Sequence, residues 1–164
     1  MMVMATRQQA AGSQNSGGNK QAKSGKLAIV LIRGLLGVRS PIKRTLFQLR
    51  LTRRNHCVLV DDTPAFRGMA VKVKDYTTWG EVSDAFVAEL VKVRGEEFQK
   101  NTMDRKKLYS YKSMNVAGKL YKPYLRLNPP RKGFERKGVK IAYAAGGALG
   151  YRGAEMEELL RRMM

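Results

Sequence analysis

Leu27-Ala-Ile-Val-Leu-Ile32 is apolar at every position, the pattern of a strand covered on both faces or lying centrally in a sheet. Gly34 and Gly37 break the run. Ser40-Pro41 then offers an N-cap followed by proline at the first helical position, where the missing N–H costs nothing. A helix from there to about Leu51 places Ile42, Leu46 and Leu49 on one side at i, i+4 and i+7, with Lys43, Arg44 and Arg50 elsewhere on the cylinder. Cys57-Val-Leu-Val60 reads as a second strand, stopped at Asp61-Asp62. Thr63-Pro64 repeats the cap-plus-proline signal, and Phe66, Met69, Ala70 and Val73 recur at helical spacing behind it. Tyr76-Thr-Thr-Trp79, ended by Gly80, predicts a third strand. A third helix over 82–94 carries Val82, Phe86, Leu90 and Val93 on one side and closes at Gly95.

The order is therefore β-α-β-α-β with a trailing helix. Regularity then fades until Tyr124-Leu-Arg-Leu127, a further strand ended by Asn128-Pro129-Pro130. Arg131 to Lys140 reads as an extended basic loop around Gly133 and Gly138, Val139 to Tyr143 as another strand, and Gly146, Gly147 and Gly150 as turns. Glu155 to Met163 predicts a terminal helix with Met156, Leu159, Leu160 and Met163 on one face; its acidic first turn and Arg161-Arg162 in the last suit the helix dipole. No internal repeat is visible.

Charge changes this picture from a plain globular chain to one that needs a partner. The 164 residues carry 32 Lys and Arg against 13 Asp and Glu, a net charge of +19, on a composition with 43% hydrophobic residues that is ordinary for a folded protein. Such a surplus repels itself and points to a polyanion, nucleic acid before an anionic membrane. The first 26 residues hold four cations and no acid, and 1–25 read as a flexible basic tail too poor in apolar residues to offset ordering. Residues 26–99 read as the core-forming body. Residues 100–152 hold fourteen cations, two acids and seven of the 13 aromatics, so 100–164 read as a basic RNA-binding extension ending in a helix. If ~6–10 cations reach phosphates, affinity should drop about 10³–10⁵-fold between 50 and 200 mM salt.

Catalytic readings are weak. His56 and Cys57 are neighbours whose side chains leave a strand on opposite faces, so they cannot act as a base and its nucleophile; a packed Cys and a structural His fit better. Asp61-Asp62 before Thr-Pro suits turn and cap chemistry. Gly146-Gly-Ala-Leu-Gly150 lacks both dinucleotide spacing and a Gly-Lys-Ser/Thr end. No metal, cofactor or small-molecule substrate is expected. The longest uninterrupted apolar run, Leu27 to Ile32, is far short of the roughly 20 residues that span a bilayer, so no membrane is expected either.

The strings KLAIVLIRG (26–34), SPIKRTLFQLRL (40–51), NHCVLVDDTPAFRGMAVKV (55–73) and WGE (79–81) resemble the large-subunit ribosomal proteins of the L-thirty family, whose eukaryotic counterparts are called L-seven. LRLNPPRKGFERKGVKIAYAAGGALGYRG (125–153) resembles the C-terminal extension of archaeal and eukaryotic members. The resemblance implies an α+β body, a three-stranded antiparallel sheet with two helices on one face, joined to a small basic C-terminal module, and no enzymatic activity. It implies binding to large-subunit ribosomal RNA near 5S rRNA, beside neighbouring ribosomal proteins in the cytoplasmic ribosome. Carried over residue by residue, the RNA contacts expected are Arg33, Arg39, Lys43, Arg44, Arg50, Arg53, Arg54 and Arg67 in the body, and Arg126, Arg131, Lys132, Arg136, Lys137 and Arg152 in the extension. Tyr121, Tyr124 and Tyr151, which lie in its basic, aromatic stretch, are of the type that stacks on unpaired bases. A free RNA-binding regulator or processing factor is the competing reading. The tail 1–25 and a short, basic connection over 100–118 depart from the archaeal pattern.

Overall fold

A computed structural model of the chain describes residues 25–98, 113–116 and 118–164. The apolar run becomes β1 (Lys26–Leu31), which pairs antiparallel with both β2 (His56–Asp61) and β3 (Thr77–Val82), Ile29 facing Val58 on one side and Trp79 on the other. This is the expected three-stranded antiparallel sheet, and the chain widens it at both edges. β6 (Leu125–Arg126) joins β2 antiparallel and β7 (Gly150–Tyr151) joins β3 in parallel, giving the order β6-β2-β1-β3-β7. A separate hairpin, β4 (Met114–Val116) and β5 (Lys119–Tyr121), stands apart from this sheet.

Because side chains alternate along a strand, β1 feeds two cores. Leu27, Ile29 and Leu31 are buried with Leu46 and Leu49 of the α1 region (Ser40–Gln48) and with Ala70 and Val73 of the α2 region (Pro64–Lys72). These are the two helices expected on one face. Ala28 and Val30 point the other way, into a core made by α3 (Asp84–Arg94) and α4 (Met156–Met163). The segment expected as a C-terminal module thus lends two strands and a helix to the body's own sheet and second core. Met156, Leu159, Leu160 and Met163, the face predicted for the terminal helix, are fully buried there.

Several local expectations shift for identifiable reasons. Ser40 is already helical: Arg39 occupies the cap position and makes no side-chain cap bond, whereas Thr63 caps α2 as expected, accepting from the Phe66 N–H at 3.3 Å. The first helix stops at Gln48 rather than Leu51 because Arg50 turns the chain through φ 62°. β3 runs through Gly80 instead of ending there. A side chain at Gly80 would overlap the Gly153 carbonyl and meet the Met156 Cβ at 2.8 Å, so glycine admits the turn leading into α4 against the sheet. Because β3 continues to Val82, α3 begins later, capped by Ser83, and its buried stripe is Phe86, Val87, Leu90 and Val91; Val93 is 57% exposed. The strand expected over 139–143 is a short 3₁₀ turn at Tyr143–Ala145, between Gly138 at φ 81° and Gly146 at φ 85°, and the strand slot beside β3 goes to β7. The tail and most of the connection, with Tyr109 and Tyr111, lie outside the described residues.

Truncating a buried leucine removes transfer energy and leaves a cavity. Leu160→Ala should lower stability by about 2–5 kcal/mol in chemical denaturation, whereas Val93→Ala, which the periodicity alone would place in the core, should stay within roughly 0.5 kcal/mol of the parent.

Candidate nucleic-acid interface

Burial of Leu46 and Leu49 turns the opposite side of α1 to solvent. Lys43 and Arg44 on this helix, and Arg39, Arg50 and Arg53 before and after it, are all exposed, and none forms a salt bridge among the described residues. Arg54 is exposed too, with its Nε donating to the Ile32 carbonyl at 3.1 Å. Arg33 is half-buried; it donates to the Asp75 carbonyl at 3.1 Å and lies 5.1 Å from the centre of the Tyr76 ring. Two shallow cavities of about 400 Å³ punctuate this side, one lined by Arg44 and Lys72 of α2, the other by Arg44, Phe47, Gln48 and Arg50. Phe47 is 48% exposed. Neither Phe47 nor Lys72 was among the residues expected from sequence, yet Phe47 lies off the Ile42, Leu46, Leu49 stripe, which already directs it outward.

The second basic surface is the loop after β6. It is not extended but folded into two turns, closed by Gly133 N–H donating to the Pro130 carbonyl at 2.9 Å and Gly138 N–H donating to the Glu135 carbonyl at 2.8 Å. The central residues of the turns are Arg131 and Lys132 in the first and Arg136 and Lys137 in the second, and all four are exposed. Lys132 and Gly133 both adopt positive φ, 65° and 77°. Between the turns, Phe134 packs against buried core residues, and the carboxylate of Glu135 accepts from Arg152 at 2.9 Å and Arg162 at 3.1 Å. The hydrogen bond from Arg152 holds the Glu135 carboxyl below the usual carboxylate range, against the opposing effect of burial. The loop is also tied to α4, since Arg131 N–H donates to the Arg162 carbonyl at 2.9 Å.

Other expected contacts are already engaged within the protein, to different degrees. Arg152 is buried, its side chain 2% exposed, and its guanidinium reaches Thr78 Oγ1 at 3.0 Å as well as Glu135, with the Tyr143 ring centre 4.3 Å away. It cannot meet an RNA phosphate from there, and the reason is electrostatic: a buried guanidinium must be paired and hydrogen-bonded. Arg67 is exposed but grips Asp62 through two bonds at 2.5 and 2.6 Å and Glu81 at 3.0 Å, which lowers the Asp62 pKa and raises its own. Arg126 lies 3.4 Å from Glu96. Tyr121 is half-buried against Gly95, and Tyr124 is stacked on His56 at 4.9 Å. Tyr151 is 51% exposed, but its hydroxyl donates to Glu81 and its ring leans on Trp79. Cys57 is fully buried, which pushes its thiol up to about 12 and leaves it inert as a nucleophile. Among the described residues no group of three His, Cys, Asp or Glu side chains is placed to hold a metal, and no helix is long and apolar enough to cross a membrane.

Comparison with known proteins gives one consistent answer. Residues 27–77 match the family described as ribosomal protein L30p/L7e. The chain is 44% identical over 149 residues to the large ribosomal subunit protein uL30 of Methanopyrus kandleri, covering 81% of this chain and 100% of the relative. It is 40% identical to the protein of that name in Methanococcus maripaludis, over 84% of this chain and 98% of the relative, and 38% identical to that of Methanobrevibacter smithii, over 83% and 98%.

His56 supplies a pH test of this architecture. Burial first, then Arg126 and Arg53, hold its pKa below the ordinary value, with Glu96 acting in opposition. The unfolded chain takes up this proton near pH ~6.5 and the folded chain only below that. The stability contribution is complete above the unfolded value and is lost as pH falls toward the folded one. Tm should decline from about pH 7.5 to about 5.5, and His56→Phe, which keeps a ring against Tyr124, should flatten that decline.

Proposed function

The chain belongs to the ribosomal protein L30p/L7e family, a structural and not an enzymatic component of the large subunit of the cytoplasmic ribosome, and on that footing we propose that it binds and bridges ribosomal RNA by neutralising phosphates. The observation that carries this reading is the separation of two sets of exposed cations that form no salt bridge among the described residues. One set lies on and after α1, which covers one face of the sheet; the other lies in the loop fastened to α4, which covers the opposite face. Cations on two sides of a rigid sheet can engage two RNA segments at once, lowering the repulsion between them, and contacts of this kind read shape and backbone rather than base sequence. The partner meant is large-subunit RNA near 5S rRNA, as the family resemblance implies, together with adjacent ribosomal proteins. Phe47, exposed between Arg44 and Arg50, is the aromatic best placed to cap an unpaired base within that surface.

Sedimentation of a lysate should carry the protein with the large subunit at moderate salt; recovery chiefly in light fractions would instead favour the free RNA-binding regulator. Changing Arg131, Lys132, Arg136 and Lys137 together to Gln should leave the circular dichroism spectrum intact while making the slope of log affinity against log salt shallower by about 3. Phe47→Ala should weaken RNA binding several-fold, roughly the value of one stacked base, while Phe47→Tyr retains it. Equal binding by the alanine variant would remove Phe47 from the interface.

A further inference from the structure

Residues 100–152 contain fourteen cations and only two acids, Asp104 and Glu135. Glu135 stands at the joint between the two turns that display Arg131, Lys132, Arg136 and Lys137. By charge alone, a carboxylate at the centre of a phosphate-binding loop weakens attraction to RNA. Its surroundings show a different use. One oxygen, Oε1, accepts from Nη1 of the buried Arg152 at 2.9 Å and from Nη2 of Arg162 at 3.1 Å. Arg152 is in turn held by Thr78 Oγ1 in β3 at 3.0 Å and by the Ala148 carbonyl at 3.4 Å, while Nη1 of Arg162 reaches the Gly133 carbonyl in the first turn at 3.4 Å. The joint is therefore fastened to the sheet on one side and to α4 on the other, with Phe134 plugged into the core beside it.

Resting on the RNA-binding reading above, we propose that Glu135 is a positioning residue for RNA: clasped by Arg152 and Arg162, it holds the two turns so that four mutually repelling cations stand pre-arranged for phosphates. Left unclasped, like charges at this density drive a loop toward extended, varied conformations. Ordering them would then fall to the RNA, at the cost of affinity. Glu135 touches no phosphate in this scheme; it acts through its neighbours.

The proposal makes a prediction opposite in sign to simple electrostatics. The full 164-residue chain and its Glu135→Gln variant are titrated with a large-subunit ribosomal RNA transcript across a range of KCl concentrations. The variant carries one more net positive charge, yet it should bind on the order of tenfold more weakly, with a salt slope shallower by about one or two, reporting lost phosphate contacts. Binding as tight as the parent's, or tighter, at an undiminished slope would overturn the proposal. Because Glu135→Gln also loosens the buried Arg152, Arg162→Lys provides the second arm. It keeps both the net charge and the Arg152–Glu135 pair, but one ammonium cannot span Glu135 and Gly133 as the planar guanidinium does. Weaker binding, about threefold, is expected at unchanged Tm; parent-like binding by this variant counts against the clasp. Failure of the parent chain itself to bind would remove the RNA reading, a result distinct from a parent that binds while neither variant loses affinity.

Discussion

A strand that is apolar on both sides cannot face water on either, and β1 imposes that condition on everything around it. All five residues from Leu27 to Leu31 are fully buried, and at roughly 1.5–3 kcal/mol for each large apolar side chain the gain is worth organising a fold around. One side is covered locally, by helices formed within the next forty or so positions along the chain. The other needs α3 and then α4, which arrives only after the chain has travelled past both edges of the sheet. The basic loop after β6 lies on that return path. Its location follows from the need to close the second core.

Electrostatics is arranged around the same plan. Several acids are used in pairs: Asp62 and Glu81 on Arg67, Glu96 on Lys122 and Arg126, Glu135 on Arg152 and Arg162. Exposed pairs of this type contribute little stability individually. Their effect here is to consume negative charge where the chain must pack, so that among the described residues α1 and the loop turns present cations without a salt-bridge partner. On the function proposed above, that surface is the one a polyanion would complete.

How much of this could be read beforehand depended on the range of the interaction involved. The strands and helices through α3, and α4 at the end, were legible because their signals are local: β1 in its unbroken apolar run, α2 in Thr63-Pro64, α4 in the spacing of Met156, Leu159, Leu160 and Met163. Errors of phase came where a contact distant in sequence decided the outcome. Gly80 looked like a strand end and is a strand interior, because Gly153 and Met156 press on it; Val93 then lost its place in the core to Val91. The candidate contacts divide in the same way. Lys43, Arg44, Arg131 and Arg136 were visible as cations and are exposed as cations. Arg152 looks identical to them in a string of letters, and nothing within a few residues reveals that Glu135 and Thr78 enclose it. Each tyrosine likewise has a packing partner from another element, which its place in the string does not reveal, while Phe47 is exposed outside the basic extension.

Cys57 is the single cysteine of the chain, sealed in the core with its thiol held protonated. Maleimide and other thiol-directed reagents would therefore find no native target while the fold is intact. A cysteine introduced on α1 or at a loop turn would be the sole labelling site in an otherwise wild-type background, so fluorophores or photocrosslinkers could be mounted on either basic surface without first removing a core residue.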